Sequence, residues 1–318
     1  KYSKYNYSKT MKWSKRGLIF APSGEFGWMN THAQVPVPIE FNGNIRIYFG
    51  TRKVNTESKF AYMDVDINDP SKILYLHDKP IFERNSKQGT FDEHGVIPAA
   101  AIRNKDNNIM LYYTGWSRRT SIPYGNLTGL VVSKDGGNFD RAWDGPVLTT
   151  KWNEPYSCTS PDLIYENGKY YMFYCAGTDW LEVNGDLSHT YDVKMAISDD
   201  GINWIQDGIT RVAQKDKYEA ITRPTIIKID DIYHMLFCYR GSNEFRDGKN
   251  SYRIGYAYSD NLFEWVRDDT KAGIGPSEEG WDSKMICYPY LFKAKSNIYL
   301  FYNGNYFGKG GCGFASLE

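Results

Sequence analysis

The chain has 318 residues, and its 38 basic and 38 acidic side chains give a formal net charge of zero. This balance excludes a broad electrostatic attraction to nucleic acid or to a membrane surface, so we expect neither as a partner. No apolar run approaches the roughly 18 residues of a membrane-spanning helix. Aromatic residues make up 16% of the chain, which is typical of half-buried strands and of stacking surfaces.

The N-terminal stretch "KYSKYNYSKTMKWSKRG" has no apolar core and does not resemble a secretory signal. Unless a signal has already been removed, we expect a cytoplasmic protein in which residues 1–10 form a flexible extension. The five Cys lack the spacing of a disulfide scaffold or a metal site. We therefore expect free thiols in a reducing compartment.

One pattern recurs five times along the chain: a proline, an apolar run, a polar turn and an aromatic strand that ends in a small residue. The leading prolines are spaced by 62, 63, 63 and 65 residues, and they are Pro36, Pro98, Pro161, Pro224 and Pro289. Each repeat continues with a third strand, such as "TGLVVSKDGGNF", and several reach a fourth, as in "WDGPVLTT". Four short strands in each repeat are typical of the blades of a propeller.

No helical periodicity appears in any repeat. We therefore predict an all-β fold, a five-bladed β-propeller of four-stranded antiparallel blades formed by residues 11–318 as a single domain. The last repeat lacks a fourth strand, and we predict that "MKWSKRGLIFAP" near the N-terminus joins the last blade and closes the ring. A β-sandwich with accidental similarity between its strands is the alternative.

Two Ser-x-Asp-Gly turns, at 133–136 and 198–201, resemble the Asp-box turns of sialidases and related propellers. We assign both to structure, because an Asp side chain can cap backbone amides and Gly tolerates a positive φ.

In a propeller the first strand of each blade lines the central channel, and the loop that leads into this strand lies at one mouth. We call the segments before the five prolines the leading loops; they are "GWMNTHAQVP", "TFDEHGVIP", "NEPYSCTSPD", "KYEAITRP" and "GWDSKMICYP". Glu93 and Glu219 both stand five residues before their prolines, and His32 and His94 both stand four before theirs.

The leading loops and nearby strand ends carry more polar and aromatic groups than strand connections require. Converging on one mouth, they would form a polar pocket with stacking walls, which we interpret as a ligand site. The predicted binding residues are His32, Gln34, His94, Arg52, Arg223, Arg240, Trp28, Trp116, Trp281, Asp282, Lys284 and Tyr288. Any single charge among them could instead be a solvated loop residue, and Arg240 could form a structural ion pair between blades.

With these features the chain resembles the five-bladed propeller superfamily that contains glycoside hydrolase families 32, 43 and 68 and the mannoside phosphorylases of family 130. The stretch "GWMN" is similar to the invertase motif Trp-Met-Asn-Asp-Pro, and "SPDLIYENGKYYMFY" is similar to a family 43 strand pattern. The whole chain further resembles glycosidase-like proteins from bacterial surface-polysaccharide gene clusters. The resemblance implies an enzyme that acts on a bacterial glycan at the channel mouth.

The chain also departs from these patterns. The invertase and family 43 patterns place an Asp at or near the first-blade proline, whereas positions 31–35 here hold Thr, His, Ala, Gln and Val. The sequences Val-Ile-Pro98 and Thr-Ser-Pro161 replace the invertase motifs Arg-Asp-Pro and Glu-Cys-Pro. Asp162 alone matches, at the family 43 position that tunes the pKa of the acid. The resemblance therefore does not supply the usual pair of catalytic carboxylates.

Glycosidic cleavage needs an acid that protonates the leaving oxygen and a base or nucleophile opposite. We predict Glu219 as the acid, assisted by Asp162, and Glu93 or Asp92 as the base or nucleophile. Glu93 is preferred because it shares the offset of Glu219. The central prediction is that Glu93 and Glu219 face one pocket.

The basic residues favour an anionic substrate, namely an acidic sugar, a nucleotide sugar or phosphate, because guanidinium groups pair well with oxyanions. Three functions stay open: a hydrolase of a bacterial glycan, a phosphorylase or glycosyltransferase on the same scaffold, and a non-catalytic glycan-binding propeller. A family 130 phosphorylase lets phosphate attack, which would account for the missing first-blade carboxylate. We expect no cofactor, although His32, His94 and nearby carboxylates could hold a divalent cation.

Overall fold

A computed structural model describes residues 10–54 and 57–318. The predicted flexible extension covers residues 1–10, and residues 1–9 of it lie outside the described residues. The described chain is built from β-strands and two single-turn 3-10 helices, Asp269–Lys271 and Tyr306–Gly308. Neither helix is long enough to cross a bilayer, nor is any other described segment a candidate helical span. The prediction of an all-β fold is confirmed.

The N-terminal strand β1 (Trp13–Phe20) precedes the first repeat. This repeat forms a four-stranded antiparallel sheet of β2 (Thr31–Phe41), β3 (Asn44–Arg52), β4 (Lys59–Val65) and β5 (Ile73–Leu76), in that order. The middle of β2 and nearly all of β3 are buried, whereas β5 is mostly exposed. The continuous apolar runs near the prolines therefore belong to strands that are covered on both faces.

The second repeat contains β6 (Gly95–Arg103), β7 (Ile109–Arg118) and β8 (Tyr124–Ser133). The predicted fourth strand is reduced to isolated bridges, one of which joins Thr128 to Leu148. The regular part of this repeat thus ends with its third strand.

The third repeat contains β9 (Cys158–Glu166), β10 (Lys169–Val183), β11 (Asp186–Ser198) and β12 (Ile205–Val212). The second and third strands, β10 and β11, have 15 and 13 residues and pair along most of their length. Their hairpin extends beyond the length that the other repeats use.

The fourth repeat contains β13 (Ala220–Ile229), β14 (Ile232–Arg240), β15 (Arg253–Ser259) and the short β16 (Val266–Arg267). Each of these strands pairs antiparallel with the next. This repeat thus shows the predicted order of four strands.

The last repeat contains β17 (Cys287–Ala294), β18 (Asn297–Asn303) and β19 (Cys312–Leu317). The N-terminal strand β1 pairs antiparallel with β19, so that Trp13 lies opposite Leu317. As predicted, the N-terminus supplies a fourth strand to this sheet.

The five leading prolines all lie within the first strands of their repeats, which are β2, β6, β9, β13 and β17. In the described chain β2 packs beside β6 and β17, and β13 packs beside β9 and β17. Residues near the beginnings of all five first strands line one cavity, and we call that end of the molecule the channel mouth.

Each first strand changes register close to its proline. The residue before the proline has a positive φ in four repeats: 54° at Val35, 51° at Ser160, 57° at Arg223 and 51° at Tyr288. Positive φ is uncommon for residues other than Gly, and β-bulges of this kind re-aim the side chains next to them. Simple inward-outward alternation therefore does not decide which side chains face the channel mouth.

The Ser-x-Asp-Gly turns are closed by their own hydrogen bonds. The amide of Gly136 donates to Ser133 Oγ at 2.8 Å, and the amide of Gly137 donates to Asp135 Oδ1 at 2.9 Å. In the second turn the amide of Gly201 donates to Ser198 Oγ at 2.8 Å. These residues are structural, as predicted.

All five Cys are buried and unpaired. Burial raises the pKa of the Cys175 and Cys312 thiols to about 12. The prediction of free thiols is confirmed, and these two side chains are neutral packing groups at physiological pH.

Candidate functional site

A cavity of about 520 Å³ lies at the channel mouth. We call it the mouth cavity, and its floor is formed by the beginnings of the first strands. It brings together several of the predicted binding residues, namely His32, Gln34, Arg52, Trp116, Arg240 and Tyr288. Half of the predicted binding residues thus line one cavity, together with residues that the sequence analysis did not select.

The hairpin of β10 and β11 supplies an aromatic wall that the sequence analysis missed. The rings of Trp180 and His189 stack with centroids 4.1 Å apart and an interplanar angle of 15°, and Tyr124 packs edge-on against Trp180 at 5.2 Å. Trp180 Nε1 and His189 Nδ1 are buried and have no hydrogen-bond partner among the described residues. The wall therefore offers both a stacking surface and unused polar atoms.

Trp180 and His189 lie on β10 and β11, outside the leading loops from which the binding residues were predicted. The second strand of a repeat runs back to the mouth, so its connection to the third strand lies there too. The signal was available in the stretch "TDWLEVNGDLSHTY", an aromatic extension between the second and third strands of the third repeat. The connection between β14 and β15 contributes Phe245 and Arg246 in the same way.

The electrostatics of the mouth cavity are one-sided. The lining drawn from the described residues contains Arg52, Arg240 and Arg246 but neither Asp nor Glu. Burial, with the positive charges of Arg52 and Lys309, lowers the pKa of His32 from 6.5 to about 4. Burial and the charge of Arg240 lower the pKa of His189 to about 3. Both imidazoles are therefore neutral near pH 7, and the net charge of the lining is positive.

Two arginines of the mouth cavity differ in their bonding. Arg240 is buried and donates to the carbonyls of Gly241 and His189, both at 3.0 Å, while its guanidinium lies 3.9 Å from the ring centre of Phe245. Arg52 reaches only Gln34 Oε1, at 3.5 Å, and its buried Nε has no partner in the described chain. Arg240 thus connects His189 of the aromatic wall to Phe245, whereas Arg52 has N–H groups without an acceptor.

Glu219 does not reach the mouth cavity. Its carboxylate accepts two hydrogen bonds from Arg267, at 2.7 and 2.8 Å, and one from the amide of Lys215 at 2.8 Å. It lines a different cavity, behind Arg240. An acid catalyst must present a proton to the leaving oxygen, and these three donors leave the predicted acid in an ion pair instead.

The two carboxylates predicted as base or nucleophile also accept hydrogen bonds from neighbouring groups. Asp92 is fully buried and accepts from the hydroxyl of Tyr113 at 2.9 Å and from Arg141. Glu93 Oε2 accepts from the amide of Gly89 at 2.9 Å. Neither lines the mouth cavity. Glu219 lines a cavity that does not include Glu93, and the mouth cavity includes neither, contrary to the prediction that the two face one pocket.

Asp162 does not line the mouth cavity but a second cavity, formed by the parts of the first strands that lie farther from the mouth. Its Oδ2 accepts from the Thr225 hydroxyl at 2.8 Å and from the amide of Ile226 at 2.9 Å. Burial raises the pKa of this carboxyl, although the charge of Arg223 opposes the shift. Arg223 is completely buried and donates to the carbonyl of Pro161 at 3.0 Å. Both residues therefore join neighbouring first strands beneath the mouth.

Several other predicted binding residues serve local packing. Trp28 Nε1 donates to the carbonyl of Asp78 at 2.8 Å, and His94 stacks on Trp116 with centroids 6.0 Å apart. Neither of them lines the mouth cavity.

The three predicted residues of the last leading loop are likewise held locally. Trp281 stacks on Tyr302 at 5.1 Å, Asp282 pairs with Lys15 at 2.7 Å, and Lys284 donates to the Tyr306 hydroxyl at 2.8 Å. The lining of the mouth cavity includes none of the three.

The suggested divalent-cation site has no counterpart in the described part of the chain. Within residues 10–54 and 57–318 no three His, Cys, Asp or Glu side chains come together as ligands for a metal ion. His32 lines the mouth cavity, whereas His94 does not. The structure therefore offers no preformed cage around the two histidines.

Comparison with known proteins bears on this site. No protein-family model matches the chain. An uncharacterized protein of Mycobacterium tuberculosis is 34% identical over 310 residues, which cover 97% of this chain and 100% of that protein. The 1,2-beta-oligomannan phosphorylase of a Thermoanaerobacter species is 32% identical over 220 residues, which cover 68% of this chain and 65% of that enzyme.

Solved structures share the fold. A structure from work on the GH130 family of mannoside phosphorylases, which contains hydrolases of β-1,2 mannosidic linkages in Candida mannan, superimposes with a TM-score of 0.71. It is 15% identical, and the match covers 98% of this chain and 95% of that one. The chain belongs to the same family as the Mycobacterium tuberculosis protein, and it shares its fold with the solved structure from the GH130 work.

Proposed function

We propose that the protein binds a carbohydrate in the mouth cavity and breaks or forms a glycosidic bond there. The observation that carries this proposal is the combination of an aromatic wall with guanidinium groups at the mouth of a propeller channel. Aromatic rings such as Trp116 and Trp180 suit the apolar faces of sugars, and convergent polar groups orient a ligand. The relatives named for oligomannan phosphorolysis support a glycan as the substrate class.

The charge of the cavity favours a carbohydrate that is negatively charged or that reacts together with an anion. Acidic sugars, nucleotide sugars and inorganic phosphate all present oxyanions, which pair with guanidinium groups. A neutral glycan alone would leave the positive lining without a partner.

The geometry favours phosphorolysis or glycosyl transfer over two-carboxylate hydrolysis. Hydrolysis by the usual route needs two carboxylates beside the scissile bond, and the described lining contains none. In phosphorolysis an oxygen of dihydrogen phosphate bonds to the anomeric carbon while the glycosidic C–O bond breaks, and the departing sugar oxygen takes up the proton that the phosphate gives up. A phosphate held by arginines would replace the missing carboxylate nucleophile.

We also infer that the five repeats close into one five-bladed propeller, with residues 11–318 as a single domain. The pairing of β1 with β19 and the packing of each first strand against its neighbours support a closed ring. A closed ring leaves no first strand at an open edge.

Product analysis tests the proposal. The purified protein is incubated with neutral and acidic oligosaccharides and with nucleotide sugars, with and without inorganic phosphate. We expect a sugar phosphate that forms only when phosphate is present, or transfer from a nucleotide sugar. Free reducing sugar formed equally without phosphate would support hydrolysis instead, and binding without turnover would support a non-catalytic glycan-binding protein.

A matched pair of tryptophan variants locates the reaction. Trp180→Ala removes part of the aromatic wall, and we expect glycan affinity to fall roughly tenfold, equivalent to about 1.4 kcal/mol. Trp152→Ala is the control, because Trp152 is 93% exposed and lies outside the lining. Equal affinities of the two variants would place the glycan elsewhere.

A further inference from the structure

We infer that the end of the mouth cavity around Arg52 is an oxyanion site, where a phosphate or carboxylate group docks. This inference rests on the proposed function and names the part of the cavity that recognises charge.

Arg52 has few hydrogen-bond partners in the described chain. It ends β3, and its only hydrogen bond among the described residues is the long one from Nη2 to Gln34 Oε1, at 3.5 Å. Its Nε is buried without a partner, and no described carboxylate lies within ion-pair distance of it. Removing part of an unpaired charge from water is unfavourable, and the half-buried guanidinium of Arg52 bears such a cost. A bound oxyanion would offset that cost by accepting the unused N–H groups.

Neutral polar side chains and a further positive charge lie around Arg52. Imidazole His32 lies in the same end of the cavity, and its Nδ1 is 2.9 Å from the Thr31 hydroxyl, which leaves Nε2 for a ligand. The positive charge of Lys309 also acts on His32. Gln34, which is largely buried, adds a side-chain amide. This end therefore combines positive charge with neutral groups able to donate hydrogen bonds, and it lacks a competing carboxylate.

Arg240, which is buried, differs from the half-buried Arg52 in its bonding. Its two Nη atoms donate to backbone carbonyls and to Ser188 Oγ, and Phe245 covers its guanidinium. These bonds would have to break before an anion could take both Nη donors. Arg52 needs no such rearrangement, so the anion docks there.

Phosphate and carboxylate share the chemistry that this site recognises, because each can accept two parallel bonds from one guanidinium. The anion can therefore be inorganic phosphate that enters as a second substrate, or a charged group carried by the sugar. Separate ligands distinguish these sources in the experiment.

The test measures binding by calorimetry for the parent, Arg52→Gln and Arg118→Gln. The probes are inorganic phosphate, glucuronate and neutral β-1,2-mannobiose. Arg118 is the matched control, because it ends β7 as Arg52 ends β3 but is exposed and outside the cavity. We expect the parent to bind phosphate or glucuronate and Arg52→Gln to lose about tenfold or more in that affinity. Arg118→Gln should bind as the parent does.

Two further readouts separate recognition from a structural role. Arg52→Gln should keep the parent's affinity for mannobiose, and its Tm should not fall, because the substitution removes an unpaired, half-buried charge. A lower Tm together with weaker binding of all three probes would show that Arg52 is structural and would overturn the inference.

The remaining outcomes are also decisive. Equal anion affinity in the parent and in Arg52→Gln would overturn the inference and leave the proposed function standing. Binding of mannobiose without binding of either anion by the parent would do the same. Failure of the parent to bind any probe would count against both.

Discussion

Charged groups are used differently inside the mouth cavity and in the loops around it. Around the cavity three ion pairs form, namely Asp92 with Arg141, Glu219 with Arg267 and Asp282 with Lys15. Inside the cavity Arg52 forms no ion pair with a carboxylate of the described chain. The outer charges neutralise one another and hold the loops, whereas the inner charge is left for a ligand. A high density of charged residues in the leading loops therefore marks the neighbourhood of a site without identifying its members.

The strongest challenge to this comparison is Asp92→Asn. Asp92 is fully buried between Arg141 and Tyr113, and an amide would turn N–H groups toward the arginine. Removing one partner of a buried pair typically costs about 3–5 kcal/mol, and we expect about 3 kcal/mol here because Arg141 is partly accessible. Urea unfolding measures the loss.

Asp199→Asn is the control for that experiment, because Asp199 pairs with Lys169 on the surface and its side chain is 81% exposed. It should leave the unfolding midpoint nearly unchanged. If both variants unfold alike, Asp92 is not a structural group, and its role in the reaction would have to be reconsidered.

The next effect is expected for Glu219→Gln. The amide nitrogen of Gln would face the donors of Arg267, so one of the two short hydrogen bonds is lost. We expect a loss of about 2 kcal/mol in the free energy of unfolding, with affinity for the probes retained. Turnover abolished at unchanged stability would instead support the original prediction of Glu219 as the acid.

The smallest effect concerns pH and His32. Its pKa is about 4 in the folded protein, below the ordinary 6.5, so between these values the unfolded chain binds more protons. Stability therefore falls as pH drops from about 7 toward 4. His32→Asn should lose less over this range than the parent does, by about 1–2 kcal/mol.

Unfolding curves at several pH values measure this difference. Saturating phosphate should also flatten the parent's curve, because a bound anion favours the imidazolium. Identical slopes in the parent and His32→Asn would mean that the cavity does not hold this imidazole neutral.

Much of the fold was predictable because each repeat is recognisable from residues that are close together in the sequence. Proline spacing, apolar runs and polar turns predicted the first strands, and each leading proline lies within one of them. The strand near the N-terminus was predicted by elimination, and it pairs with β19. For the site, the sequence predicted the region of the molecule but not which side chains line the cavity. The backbone at Val35 and Tyr288 adopts positive φ, so side-chain direction at the mouth did not follow strand alternation.

The sequence by itself determined the repeats, their first strands, the structural turns and the end of the molecule where a site forms. These features depend on neighbours in the chain, which the sequence shows directly. Only the tertiary structure decided which charges are paired, since folding brings Glu219 to Arg267 and Asp92 to Arg141. It also decided that the hairpin of β10 and β11 forms the cavity wall and that Arg52 is left with unused donors. Pairing and burial depend on distances across the fold, and these distances separate the residues that hold the loops from those that can bind a ligand.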